Sequence, residues 1–423
     1  MSDEPIQPNE PTISFYNRPR VKVERIPVGK GVTLGIETVT NPEIGIGGAY
    51  GTWGDSVRNE DLPAMILERV GDTLRDEEKL SLSELGFYFR QLGPKLTPQE
   101  HVELEVQVGK RFLTEAAHAN GWETSDVEAV LIGASLPPAL DFIDRIAEEA
   151  GIPDNALKVS IHKACDGSVA GLNLALNPNL PVNAQLHRVL ATELYGKKVL
   201  VGGIEGLSRI VDYTHDKNAL QFFGNGAGVI GLVPGKSMKF LVGTSREAFD
   251  TEGVLQVRMF YPHSKVKVEG QSMIEVFQDG ENHIRVAGLM HEPEGDTPVL
   301  MAGMMGMVKL FVRNGVQAVQ EVYQAYHKRM FDMGMPGREI VVAIVHHANL
   351  KINQFKVKNL QKEGIQIPFP WLIKEFGNVS AASNMIAFLR KLSQLNPGDH
   401  ILFDGFGAGS YYDVLAVELG GQA

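Results

Sequence analysis

The feature that most limits how this 423-residue chain can fold is an internal repeat. Gly121-Trp122 through Ile132-Gly133-Ala134-Ser135 aligns without a gap against Gly334-Met335 through Val345-His346-His347-Ala348. In each copy a helix-ending glycine leads into a polar turn and then an apolar strand, which ends twelve residues on, at Gly133 or His346. A second pair agrees: Gly196-Lys197-Lys198-Val199-Leu200-Val201-Gly202-Gly203 parallels Gly398-Asp399-His400-Ile401-Leu402-Phe403-Asp404-Gly405. A small-residue helix start precedes each of these, Cys165-Asp166-Gly167-Ser168-Val169-Ala170-Gly171 in one copy and Asn378-Val379-Ser380-Ala381-Ala382-Ser383 in the other. The expected organisation is an N-terminal extension over 1–43 followed by two similar α/β halves, 44–235 and 236–423. Two such halves face each other across a pseudo-dyad. Cys165 and Asn378 then converge from matching helix starts, with His346 arriving from a strand end between them.

Short apolar runs at 130–132, 199–201, 340–345 and 401–403 have the length and β-branched content of buried strands. Helical spacing at 141–150, 316–326 and 384–395 falls between them, which implies a mixed or parallel sheet covered on both faces. Other stretches are less regular. Residues 1–40 show no sustained period, and helix-like pieces surround 82–92. Val102, Leu104, Val106 and Val108 alternate as in a strand yet run into a helical pattern at 111–118, so that boundary stays open. Gly45-Ile46-Gly47-Gly48-Ala49-Tyr50-Gly51 is too weak for a dinucleotide fingerprint, because Thr52-Trp53-Gly54-Asp55 reads as loop where a helix should open. A strand end running into a turn is expected there.

Charge and cysteine usage narrow the function. A formal net charge of −11 argues against nucleic acid as a partner, since phosphate binding needs a basic face. No apolar run approaches the ~20 residues of a membrane span, and the acidic, proline-rich start lacks the basic and apolar regions of a secretion signal. The lone cysteine excludes an internal disulfide and fits a reducing cytoplasm. Zincin-type spacings are absent, and the adjacent His346 and His347 point to different sides of any element, so no metal is expected.

Each candidate residue has a bland reading and a chemical one. Cys165 is either a small buried apolar residue or a nucleophile. Unpaired N–H groups at its helix start would favour thiolate and lower its pKa. His346, just after an apolar strand, is either structural or placed at the ligand crevice that strand ends face. Asn378 sits in a tight turn where it can simply cap a helix. Gly405-Phe406-Gly407-Ala408-Gly409 is a loop almost free of side chains, generic alone but able to bring backbone N–H groups to an oxyanion.

Taken together and in order, Ala164-Cys165-Asp166-Gly167, His346-His347-Ala348-Asn349-Leu350-Lys351, Gly377-Asn378-Val379-Ser380-Ala381-Ala382-Ser383 and Gly405-Phe406-Gly407-Ala408-Gly409 resemble the signatures of β-ketoacyl-ACP synthase III. Gly47-Gly48-Ala49-Tyr50-Gly51, Arg58-Asn59-Glu60-Asp61-Leu62 and Phe223-Gly224-Asn225-Gly226-Ala227-Gly228 are similar to further segments of that family. The resemblance implies a thiolase fold, two pseudo-dyad-related halves in a five-layered αβαβα arrangement. It also implies a homodimer that needs no cofactor and takes thioesters of coenzyme A or acyl carrier protein as substrates. Cys165 would accept the acyl group, and His346 and Asn378 would assist decarboxylation of a malonyl thioester before Claisen condensation. Backbone N–H groups of Cys165 and Ala408, with Gly407 beside them, would hold the oxyanion. Asn349, Lys351 and Phe406 would touch substrate or carrier.

The pattern also departs from the family. His347 replaces a glutamine, Asn225 replaces an aspartate, and 64–105 lacks the tryptophan and arginine segment that grips the nucleotide of coenzyme A. Hydrolase-like and ester-forming enzymes share this fold. Hydroxymethylglutaryl-CoA synthases carry a glutamate after the strand matching 130–132, where Gly133-Ala134-Ser135-Leu136 has none. Degradative thiolases need a second cysteine. A non-catalytic partner subunit would usually lose one of the three site residues.

Overall fold

The computed structural model describes residues 24–259, 263–301, 304–408 and 410–420. Its strands are β1 (Glu24–Gly29), β2 (Val32–Asn41), β3 (Ile46–Trp53), β4 (Asp55–Arg58), β5 (Phe89–Leu92), β6 (Ala129–Gly133), β7 (Leu157–His162), β8 (Val199–Glu205), β9 (Gly226–Leu232), β10 (Met238–Glu247), β11 (Leu255–Val257), β12 (Ile274–Gln278), β13 (His283–Gly288), β14 (Val299–Met301), β15 (Ile340–Val345), β16 (His400–Gly407) and β17 (Tyr411–Leu419). One large sheet runs β1-β2-β3-β9-β8-β6-β7-β13-β12, and a second runs β10-β17-β16-β15.

The repeat read from the sequence is present in both sheets. β6 and β15 each lie parallel to the next repeat strand, β8 and β16. Those two each pair antiparallel with the strand that follows, β9 and β17. β3 and β10 then continue the two orders in the same way. The paired glycines Gly121 and Gly334, and Gly196 and Gly398, all take positive φ, as the turn into each strand requires. The copies differ at the position after β6 and β15. β7 is a full strand, whereas its counterpart leaves Ala343 N–H bonded to Pro368 O at 2.9 Å but forms no ladder. Pro368 and Pro370 explain this, since neither has an N–H to donate.

Between the sheets lie two helices, Gly167–Leu176 and Ser383–Leu392, each touching both. The helix Pro98–His118 covers the outer face of the first sheet, and Met304–Asp332 with Leu350–Lys362 covers the second. Five layers, αβαβα, result: the thiolase fold. Burial follows from the central position. The helix Gly167–Leu176 has no exposed residue, which suits its small and apolar sequence.

Several readings need correction. The segment 1–43 is not simply an extension, because β1 and β2 join the first sheet; residues 1–23 lie outside the described residues. The halves do not part cleanly at 235 either: β13, from the later half, pairs parallel with β7, and β12 pairs with β13. The alternating valines belong to the helix Pro98–His118, started by a capping box between Thr97 and Glu100 with Pro98 at its first turn. Around 82–92 the chain makes turns and β5 rather than helix. In the glycine-rich stretch Gly45 closes a turn with φ 74° and 46–51 is strand, where close packing requires glycine: a Cβ on Gly48 would stand 2.4 Å from Val229 O.

Candidate active site

β7 ends at His162 and delivers Cys165 on a single 3-10 turn, Ala164–Asp166, ahead of the helix Gly167–Leu176. Ala164 takes φ 48°, a left-handed conformation costly for a residue with a Cβ. Ser380 takes φ 43° at the same place in the second copy, on the turn Ser380–Ala382. Position 165 therefore matches 381, not 378 as the sequence alignment of helix starts implied. The two strained turns bring Ser380 Oγ to 3.1 Å from Cys165 Sγ.

The expected low thiol pKa is not found. Burial pushes the Cys165 thiol up to about 12, only partly opposed by the Ser380 hydrogen bond. The N–H groups of the short turn do not outweigh removal of the sulfur from water.

His346 and Asn378 reach the same place. The His346 ring stands 4.9 Å from that of Phe406 and is fixed through Nδ1 by Ser383 Oγ at 2.6 Å. Burial holds its pKa well below 6.5, so the ring is neutral. Ser383 Oγ accepts His347 N–H at 3.4 Å, so its hydroxyl is free to donate to His346 Nδ1, the tautomer that carries the proton on Nε2. Asn378 Oδ1 accepts the Ser380 N–H at 2.8 Å, which assigns the free end of the amide to nitrogen. His347 is a structural group: Nδ1 donates to Val345 O at 2.7 Å, Nε2 accepts from Leu372 N at 3.0 Å, and the ring packs on Trp371. Asn225 likewise organises a turn, accepting from Ser208 N at 2.9 Å.

Cys165, His346 and Asn378 line one cavity with Phe406, Gly407 and Ala408. The water-accessible space is only ≈20 Å³, little more than one water needs. Its far wall is apolar, formed by Phe222, Phe223, Leu255, Met301, Met307 and Phe311. Gly407 passes so close to Cys165 that a Cβ there would meet Cys165 N at 2.8 Å; Gly409 lies outside the described residues. Two other sequence candidates are not in the cavity. Asn349 caps the helix Leu350–Lys362 by accepting Ile352 N–H at 2.9 Å, and Lys351 pairs with Glu84 at 2.6 Å on the surface.

Charged groups missed by the sequence reading surround Cys165. Lys163 pairs with Asp413 and lies 3.3 Å from Asp166, and Asn173 donates to Asp413 at 2.7 Å. Burial, then the neighbouring Asp413, holds the Asp166 carboxyl well above the ordinary carboxylate range. Lys356 and Asp404 form a second, wholly buried pair. Glu205, at the end of β8, accepts from Ser135 N at 2.8 Å, Ser135 Oγ at 3.0 Å and Ala381 N at 3.1 Å. The signal for it was available: Glu205 follows an apolar repeat strand, at the carboxyl end that faces the crevice. Among the described residues no group of three metal-ligating side chains is close enough to hold an ion.

Comparisons with known proteins find relatives of the same fold. Residues 331–419 match the family described as 3-Oxoacyl-[acyl-carrier-protein (ACP)] synthase III C terminal. The chain is 26% identical over 307 residues to a β-ketoacyl-[acyl-carrier-protein] synthase III of Clostridium botulinum, covering 70% of this chain and 78% of the relative. It is 23% identical over 329 residues to the one from Neisseria meningitidis serogroup B, covering 75% and 86%. Among solved structures, 3-oxoacyl-[acyl-carrier-protein] synthase III of Aquifex aeolicus superimposes with a TM-score of 0.57 at 18% identity, over 92% of this chain and 100% of that one. OleA of Xanthomonas campestris gives 0.56 at 14%, over 92% and 98%.

Proposed function

We propose that this chain, a β-ketoacyl-ACP synthase III-like protein of the thiolase fold, is an acyltransferase that condenses an acyl group with a malonyl unit. One observation carries the reading: Cys165 and two neutral hydrogen-bond donors share a single small cavity. Cys165 takes the acyl group from a thioester of coenzyme A or acyl carrier protein. A malonyl thioester then loses carbon dioxide while His346 Nε2–H and the Asn378 amide donate to the enolate oxygen. The enolate carbon attacks the acyl-cysteine, and the N–H groups of Cys165 and Ala408, with Gly407 alongside, receive the oxyanion. Neutral donors suit this task, because negative charge grows on oxygen without a proton having to move. The phosphopantetheine thioester is the substrate, and no bound cofactor takes part.

Phe406 and the apolar wall receive the acyl chain, which must displace the methionine and phenylalanine side chains that fill the space. Methionine is well suited to such yielding. Lys351, although paired with Glu84, stands at the surface where an acidic carrier could contact it, and Asn349 supports that helix start. A free thiol suits a reducing cytoplasm, where we place the enzyme. No described helix is long and apolar enough to cross a membrane. The protein works as a homodimer whose contact lies away from the outer edge of β7, since β13 already covers that edge; light scattering tests this. The reaction is tested by supplying acyl and malonyl thioesters together and looking for the β-ketoacyl product by mass. Carbon dioxide release without a condensed product would contradict it.

A further inference from the structure

We propose that Ser380 and Glu205 form a proton relay for the Cys165 thiol, in which Ser380 takes the thiol proton while its own proton passes to the Glu205 carboxylate. The proposal rests on the reading above, since it concerns the step that loads Cys165. Ser380 Oγ–H donates to Sγ at 3.1 Å, and the same hydroxyl stands close enough to the Glu205 carboxylate to lower its pKa as a donor. The carboxylate is fixed from its other sides by Ser135 and by Ala381 N–H. In the structure Oγ–H donates to Sγ; for the transfer the hydroxyl turns to the carboxylate and S–H donates to Oγ. After transfer the carboxylic acid donates to Oγ and Oγ–H to the thiolate, so one proton has moved and no co-reactant is needed.

Other candidates for this task are already committed. His346 Nδ1 is held by Ser383, both nitrogens of His347 are bound to backbone, and Asp166 shares the Lys163–Asp413 cluster. Glu205, by contrast, is a buried acid whose hydrogen bonds all come from neutral groups. Keeping such a charge unpaired by any cation is costly to the fold and marks a group retained for chemistry. Burial pushes its pKa up to about 7, which places its basic form at the working pH of a general base. Charged groups packed nearby are Lys163, Asp166 and Asp413 on the nucleophile's side, Lys356 and Asp404 beside β16, and Glu105 with Arg209 next to Gly206. Each has a charged partner: Lys163 with both aspartates, Lys356 with Asp404, and Arg209 with Glu105. Ser380 touches the reacting sulfur and is thus catalytic; Glu205 acts through it as a positioning residue.

The test is the pH profile of Cys165 alkylation by iodoacetamide, followed by intact mass from pH 5.5 to 9.5. The wild-type rate should rise as Glu205 ionises and be lost as pH falls below that point. Ser380→Ala and Glu205→Gln should lose this limb, alkylate about 10²-fold more slowly near neutral pH, and keep only the alkaline rise of the thiol itself. Glu205→Asp should restore part of the limb, which a merely structural role would not do. Wild-type profiles in folded Ser380→Ala, or in Glu205→Gln, overturn the relay. Should Glu205→Gln not fold, Ser380→Ala decides alone. Alkylation requires no thioester, so a wild-type enzyme that takes up no acyl group would count against the proposed function while leaving this comparison intact.

Discussion

The carboxamide oxygen of Asn378 accepts the backbone N–H of Ser380 at 2.8 Å, and this one bond decides which end of the amide faces the Cys165 cavity. Had the oxygen faced the cavity, it would repel an enolate. The strained Ser380 turn thus makes two contacts in the site, its N–H holding the Asn378 amide and its hydroxyl touching Cys165.

Asn378→Asp should separate the two half-reactions. An aspartate keeps the bond to Ser380 N–H but offers an acceptor where a donor is needed. Malonyl decarboxylation should fall by about 10²–10³-fold, the usual worth of one oxyanion donor, while acylation of Cys165 changes little. Rapid-quench measurement of both steps checks this; equal loss of both would contradict the assignment.

His346 should impose no acid limb near pH 6.5 on decarboxylation by the acyl-enzyme. Burial depresses its pKa well below that value, so the ring stays neutral, with Nε2–H in place, as pH falls through the range where an ordinary histidine titrates. His346→Ala should slow this step and spare acylation. A wild-type rate that drops on passing below pH 6.5 would show the ring to be an ordinary, titrating one.

Glu205 should make the fold less stable as pH rises. Its pKa goes from 4.5 to about 7 on folding, so the protonated form is the one the fold favours. Below pH 4.5 the effect is fully present as stability; it is lost as pH climbs through 7. Glu205→Gln removes the dependence. Its advantage over wild type in denaturant unfolding should therefore grow between pH 4.5 and 8, by up to about 3 kcal/mol. A constant difference across that range would contradict the shift.

Lys356 and Asp404 should be worth more to each other than either is alone. Both are fully buried, and burial lowers the pKa of Lys356 and raises that of Asp404 despite their contact. Lys356→Met leaves an unpaired carboxylate and should cost about 3–5 kcal/mol, whereas Lys356→Met with Asp404→Leu should recover most of it. Denaturant unfolding of both variants decides.

Much of this arrangement can be read in the sequence, because repeated glycines and apolar strands are local signals. Gly121 and Gly334 mark the same turn in both copies, and the three site residues stand in recognisable surroundings. What escaped depends on contacts distant in sequence. The β12–β13 hairpin is formed by short strands of mixed polarity, whose place beside β7 no local pattern states. The valines of 102–108 alternate by coincidence on a helix, where the Thr97–Glu100 capping box was the better guide. The thiol pKa went the other way because helix-start donors are visible in sequence and depth of burial is not. Glu205 sits 40 residues from Cys165 in sequence and becomes informative only when Ser380 is seen between them.

Loading of the nucleophile is the event on which all else depends. Incubation with a panel of acyl-CoA and acyl-carrier thioesters, followed by intact mass and peptide mapping, measures it directly. The expected result is a single acyl adduct on Cys165 that disappears when malonyl thioester is added. A protein that stays unmodified with every donor, or carries its acyl group elsewhere, would not be this enzyme.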